Sequence, residues 1–148
     1  MTAMTEILIQ LSPEDAALMP RRQHSGDAGY DLRSRVELTL AAGAFGAVPT
    51  GVRLEMPSGW AAEVRPRSGL ALRYGVTVLN SPGTIDSGYR GEVQAILINH
   101  GSAPFAIHRG DRIAQLLFQR LPECELRSRE ALAASDRGEG GFGSTGTR

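Results

Sequence analysis

Short runs with apolar residues at every second position recur along this chain, and proline or glycine interrupts them before a helical period can develop. Val36-Glu37-Leu38-Thr39-Leu40 shows the alternation plainly. Pro49, Pro57, Pro66, Pro82, Pro104 and Pro122 punctuate the pattern, and most of the 18 glycines lie at its breaks. Proline lacks an N–H and fixes φ, so neither a long helix nor a long central strand can pass through it. The runs predict strands over Glu6–Gln10, Val36–Leu40, Gly51–Met56, Trp60–Arg65, Gly75–Asn80, Glu92–Asn99, Pro104–His108 and Arg112–Arg120. Helical spacing is confined to Ser68–Tyr74, worth one or two turns, and to Ser128–Ser135. Many short strands with so little helix predict an all-β chain, either a barrel or a jelly-roll-like sandwich. There is no internal repeat. Residues 1–136 are expected to form one domain, and 137–148 a mobile glycine-rich arm.

Composition narrows the function. At 148 residues the chain can bury about 70 % of its unfolded surface in one core. Its hydrophobic content is 41 % with no long apolar run, so no transmembrane helix is expected. The first ten residues lack the basic start and apolar stretch of a secretory signal. Acidic and basic residues balance at 16 each, which gives no overall field to gather nucleic acid or an anionic membrane. A cytoplasmic protein with no nucleic-acid or membrane partner is the expectation. All the basic residues are arginine. Cys124 is the only cysteine, so it has no internal disulfide partner; it is expected to be a small buried or half-buried residue. His24, His100 and His108 show no metal-binding spacing, and Trp60 is expected in the core.

Five islands carry chemistry. Asp27-Ala28-Gly29-Tyr30-Asp31-Leu32-Arg33-Ser34 sets two carboxylates four residues apart, suited to a hard cation held directly or through water, or equally to an Asx turn. In Arg65-Pro66-Arg67-Ser68-Gly69-Leu70-Ala71, Ser68 could cap a short helix whose free N–H groups accept a phosphate, with Arg67 adding charge. Asn80-Ser81-Pro82-Gly83-Thr84-Ile85-Asp86-Ser87-Gly88-Tyr89-Arg90-Gly91-Glu92-Val93 lies between two strand-like runs and resembles a long hairpin. It offers backbone groups and the Asn80 amide to a base edge, Asp86 as a general base and the Tyr89 ring to a sugar. In Arg109-Gly110-Asp111-Arg112-Ile113-Ala114-Gln115-Leu116-Leu117-Phe118, a turn leads into an apolar strand interrupted by Gln115, which needs partners if buried. An ion pair between Asp111 and Arg112 is expected there. Last, Arg137-Gly138-Glu139-Gly140-Gly141-Phe142-Gly143-Ser144-Thr145-Gly146 combines five glycines with a guanidinium, an aromatic ring and two hydroxyls, the parts of a tail able to fold over a nucleotide. A Walker loop is excluded, because Ser144 takes the lysine position and no strand–helix unit follows.

In order and spacing from Asp27 to Gly146, these islands resemble the five motifs of the trimeric dUTPases, the deoxyuridine triphosphate nucleotidohydrolases. The resemblance implies a distorted jelly-roll, β-clip-like subunit. It further implies a homotrimer with three active sites, each drawing motifs from neighbouring chains, and an arm that crosses a subunit boundary. The implied reaction is Mg²⁺-dependent hydrolysis of dUTP to dUMP and pyrophosphate by water attack at the α-phosphorus. Such a reaction limits uracil incorporation into DNA and supplies dUMP for thymidylate synthesis. Asp86 would be the base, with Gln115 near the phosphates and the water; Asp31 would hold the metal through water. Arg67, Ser68 and Gly69 would receive the α- and β-phosphates. Asn80, Gly83, Thr84 and Ile85 would frame the uracil, and Tyr89 would lie under the deoxyribose. Arg137, Gly143, Ser144 and Thr145 would close on the γ-phosphate while Phe142 covers the base. Asp27 and Arg112 are assigned supporting roles. A dCTP deaminase and a non-catalytic nucleotide-binding protein are the rival readings.

Overall fold

The computed structural model describes residues 4–147. Among them, eleven short strands and one two-turn helix build four antiparallel sheets around a single core. The strands are β1 (Leu8–Gln10), β2 (Tyr30–Arg33), β3 (Leu38–Leu40), β4 (Phe45–Pro49), β5 (Arg53–Glu55), β6 (Trp60–Arg65), β7 (Val76–Val78), β8 (Gly83–Asp86), β9 (Gln94–Asn99), β10 (Phe105–Ile107) and β11 (Arg112–Arg120). The helix, α1, is Ser68–Tyr74, and a 3-10 turn covers Pro13–Leu18. The largest sheet runs β2-β11-β6-β8; a second runs β4-β9-β7, and β1-β5 and β10-β3 form two ribbons. The all-β expectation holds.

Alternation sets what each strand buries. In β6, Ala62 and Val64 face the core while Glu63 and Arg65 turn outward; in β9, Ala95 and Leu97 go inside. These residues join Leu32, Val48, Val52, Leu116 and others in one cluster, with Trp60 half-buried against it. Pro66 keeps Arg65 extended and cannot donate to the ladder, so β6 ends at Arg65 and the helix begins three residues later. Arg67, extended at φ −95° and ψ 127°, is the N-cap, and Ser68 opens the helix without capping it. At the other end Gly75 sits at φ 68°, a conformation open to glycine, and returns its N–H to Ala71 O at 3.0 Å.

Three strands escape a period-based reading. β2 carries Asp31 and Arg33 among its four residues, β4 starts amid small residues and ends on Pro49, and β8 lies inside the expected hairpin loop. The hairpin itself is present, because β7 pairs with β9 through Val76↔Asn99 and Val78↔Leu97. Its loop does not stand free: β8 crosses to pair with β6 in the other sheet. Residues 128–135 form no helix; Leu132 is exposed, and no apolar stripe there meets the core. Cys124 is exposed in the same extended stretch, not buried.

Candidate active site

The middle of the large sheet gathers side chains from three of the islands. Gln115 of β11 stands opposite Asp31 of β2 on one side and Arg65 of β6 on the other. A simple alternation would turn Arg112, three residues earlier, to the opposite face. The pairing with β2 instead jumps from Arg33↔Arg112 to Leu32↔Ala114, leaving Ile113 as an extra residue. Ile113 and Ala114 both point inward, 2 % and 0 % exposed, and this β-bulge returns Arg112 to the face that carries Gln115.

The resulting cluster is charged and tied together. Asp31, 9 % exposed, accepts a hydrogen bond at Oδ2 from Gln23 Nε2 at 2.7 Å. Arg112 lies 3.5 Å from the same oxygen, and Arg67 Nε is 3.8 Å from Oδ1. Arg67 also donates to Arg112 O at 2.9 Å, and Gln115 Nε2 donates to Pro66 O at 2.9 Å. Arg112 therefore pairs with Asp31 and not with Asp111, whose Oδ2 accepts from the His108 N–H at 2.8 Å. Burial, then the charges of Arg112 and Arg33, hold the Arg67 guanidinium below its ordinary pKa, against the raising influence of Asp31. Two guanidiniums, Arg67 and Arg112, share one carboxylate with Arg33 close by, which leaves unspent positive potential suited to a polyanion. Ser68 and Gly69 lie at the edge of this cluster in the first turn of α1.

The hairpin presents a second group. Gly83 is buried opposite Val64, and a Cβ placed on it would come within 3.3 Å of Val64 Cβ and 3.5 Å of Asn80 Nδ2. The Asn80 amide thus sits close over Gly83, where a side chain would be tightly packed against Val64. Ile85 points into the core, while Thr84 and Asp86 are exposed. Tyr89 is half exposed, lies over Gly91 and donates its hydroxyl to Glu92 O at 3.1 Å.

The two groups do not meet within one chain. Asp86 pairs with Ala61, and Gln115 pairs with Arg65, four residues along β6. That is about 13 Å of strand, with two strand spacings of about 4.8 Å across the sheet besides. The tail is a third, separate part. Residues 137–147 make local turns, such as Ser144 N–H to Gly141 O at 3.0 Å, and Phe142 projects fully exposed from a left-handed φ of 51°. Among the described residues Arg137 donates within the tail, to Gly140 O at 2.8 Å.

Among the described residues no three His, Cys, Asp or Glu side chains converge as a metal cage. Asp31 offers, among the described residues, one carboxylate oxygen that a hydrated hard cation could reach beside Arg67 and Arg112. Its Oδ2 is engaged by Gln23, whereas Oδ1 accepts no hydrogen bond and, since no buried polar side-chain atom lacks a partner, it retains contact with solvent. One carboxylate reaching through water suits Mg²⁺, which binds few protein groups and keeps its waters. Asp27 takes a local structural role, accepting from the His24 N–H three residues earlier at 2.9 Å, which is a turn contact but not the Asx turn expected from the sequence. Sequence patterns gave no sign of a different cluster, the buried Asp15 held by Arg35 at 2.8 Å and Arg109 at 2.7 Å, because its three members come from distant segments.

Comparison with known proteins bears on these arrangements together. The dUTPase family model matches residues 15–146. The deoxyuridine 5′-triphosphate nucleotidohydrolase of Clostridium acetobutylicum is 50 % identical over 135 residues, covering 91 % of this chain and 93 % of its own. The enzyme of that name from an Anaeromyxobacter species is 56 % identical over 128 residues, covering 86 % and 87 %. Among solved structures, the dUTPase of Staphylococcus bacteriophage 80alpha with dUPNHPP superposes with a TM-score of 0.88 at 27 % identity, over 96 % of this chain and 99 % of that one. With the family model spanning nearly the whole chain and relatives at this identity along its length, the chain belongs to the dUTPase family.

Proposed function

We infer that this protein is a dUTP diphosphatase, hydrolysing dUTP to dUMP and pyrophosphate. The observation that carries the reading is the bulge in β11, which sets Arg112 and Gln115 beside Asp31 and Arg67 on one sheet face in a chain of this family. The activity limits uracil entry into DNA and supplies dUMP for thymidylate synthesis.

The triphosphate lies on the arginine cluster, its α- and β-phosphates received by Arg67, Ser68 and Gly69. The uracil sits against Gly83 to Ile85. Its O4 and N3–H meet the Asn80 amide and neighbouring backbone; cytosine would leave such groups unpaired, a strong basis for rejection. Thymine is refused because the close backbone at Gly83 leaves no space for a C5 methyl, and a ribose is refused by the Tyr89 ring. Asp86 orients the attacking water and takes its proton, a contribution of about 10²–10⁴-fold. Gln115 stands by the phosphates and the water. The greater share of the acceleration comes from fixed positive charge around the phosphates. Mg²⁺, held by Asp31 through water, supplies neutralisation of the triphosphate charge when bound.

The separation between Asp86 and the Arg67–Gln115 cluster supports a site completed between chains, and a homotrimer is the assembly proposed for it. The arm closes that site, with Arg137, Gly143, Ser144 and Thr145 on the γ-phosphate and Phe142 over the base. No helix among the described residues is long and apolar enough to cross a membrane; a cytoplasmic setting belongs to the same proposal. The direct test incubates the purified chain with each common nucleoside triphosphate and Mg²⁺ and assays pyrophosphate. Release from dUTP alone supports the reading, and ammonia release from dCTP would point to a deaminase instead.

A further inference from the structure

Gly29, which precedes β2, is not a glycine required by its backbone: its φ lies outside the left-handed region occupied by nine other glycines of the chain. Space is what excludes a side chain. A Cβ built there would overlap Gln115 Oε1 and stand 3.0 Å from Gln115 Cδ and 3.2 Å from Gln115 Cβ. Gln115 cannot move its Cβ away, because β11 is paired at that residue on both sides, with Asp31 and with Arg65. Only the carboxamide can give. Its orientation is set by chemistry: Pro66 O can only accept, so Nε2 faces Pro66 at 2.9 Å and Oε1 is left over Gly29. Pro66 leads directly into Arg67, Ser68 and Gly69.

We propose that Gly29 is a positioning residue for the hydrolytic reaction: the gap left by its missing side chain fixes the Gln115 carboxamide, and through Pro66 the loop that carries Arg67 and Ser68. This rests on the assignment of Gln115 to the site given above. A methyl group at residue 29 forces the amide off Pro66 O, and a displacement of about 1 Å at a reacting centre can lower a rate by about 10²-fold.

The test is a double-mutant cycle on dUTP turnover and thermal melting with wild type, Gly29→Ala, Gln115→Ala and the double variant. Gly29→Ala should lower kcat by about tenfold or more while KM stays within about threefold. In the Gln115→Ala background, where Oε1 and Cδ are gone and only the tight 3.2 Å Cβ contact remains, the same change should cost clearly less in kcat and in melting temperature than it does in the wild type. Wild-type kcat in Gly29→Ala, or an undiminished cost of Gly29→Ala in the Gln115→Ala background, overturns the proposal. Wild-type kcat in Gln115→Ala removes Gln115 from the site and the proposal with it, a distinguishable failure. Should Gly29→Ala melt without cooperativity, the double variant decides: cooperative melting restored supports the steric account, and its absence overturns it.

Discussion

Asp86 is exposed at the end of β8, with no side-chain partner among the described residues to tie up its carboxylate. A group so placed can serve an incoming water, and Asp86→Asn should retain dUTP binding while losing about 10²-fold or more in kcat. Single-turnover kinetics alongside a binding titration would check this; wild-type turnover would remove Asp86 from its role. Tyr89→Ala should raise the kcat/KM of UTP relative to dUTP, measured with both substrates under the same conditions. At this scale the chain was partly legible. Gln115 stood out because a polar residue breaks an apolar run, and the structure gives it Pro66 O as partner. Arg112 was given a supporting role but the wrong partner, Asp111, because only the pairing with β2 reveals the bulge that turns it toward Asp31. Ser68 was read as a helix cap, yet Arg67 holds that position: the cap depends on where β6 ends, which local composition does not fix.

Elements were legible where alternation is regular. β6, α1 and β11 fall on their expected bounds, since an apolar face, a flanking proline and a closing glycine each act locally. β2 and β8 were hidden because their pairing partners, β11 and β6, are distant in sequence and supply the stability that their own composition lacks. The 3-10 turn at Pro13–Leu18 is of the same kind, fastened by Asp15, which Ser12 Oγ also reaches at 2.9 Å. The hydrogen bond from Arg109 holds the Asp15 carboxyl below its ordinary 3.8, with Ser12 and Arg35 assisting against the opposing effect of burial. A carboxylate whose folded pKa is depressed contributes stability that is fully present above the unfolded value and is lost as pH falls through the folded one. The melting temperature of the wild type should therefore drop as pH goes below about 4. Asp15→Asn should melt lower at neutral pH and lose part of that acid dependence, checked by thermal melts across the range. Identical pH profiles for the two proteins would contradict the ion-pair account.

At the scale of the whole molecule, the separation of the hairpin from the arginine cluster makes a prediction that a single chain cannot satisfy. Asp86→Asn and Arg67→Ala should each be nearly inactive alone, yet co-expressed chains should recover measurable dUTP turnover, because mixed assemblies contain some sites with both residues intact. No recovery in purified mixed assemblies would place the complete site within one chain. Truncation after Asp136 should cut kcat sharply if, as proposed, closure of the arm orders the terminal phosphate; unchanged kinetics would dismiss the arm. Assembly was the least legible level, since interchain geometry leaves no periodic trace in a sequence. The odd residue in β11 also bears on how relatives of this chain can drift in length. Adding or dropping one position in a strand normally exchanges inner and outer sides for everything beyond it, and here one such offset is part of the design. Loss of Ile113 would restore plain alternation, leave Arg112 and Gln115 neighbours, and remove only one aliphatic group from the interior. A further insertion would swing a guanidinium inward among leucines, so at this point a deletion keeps the outward face in register at the expense of a core side chain, whereas an addition does not keep it at all.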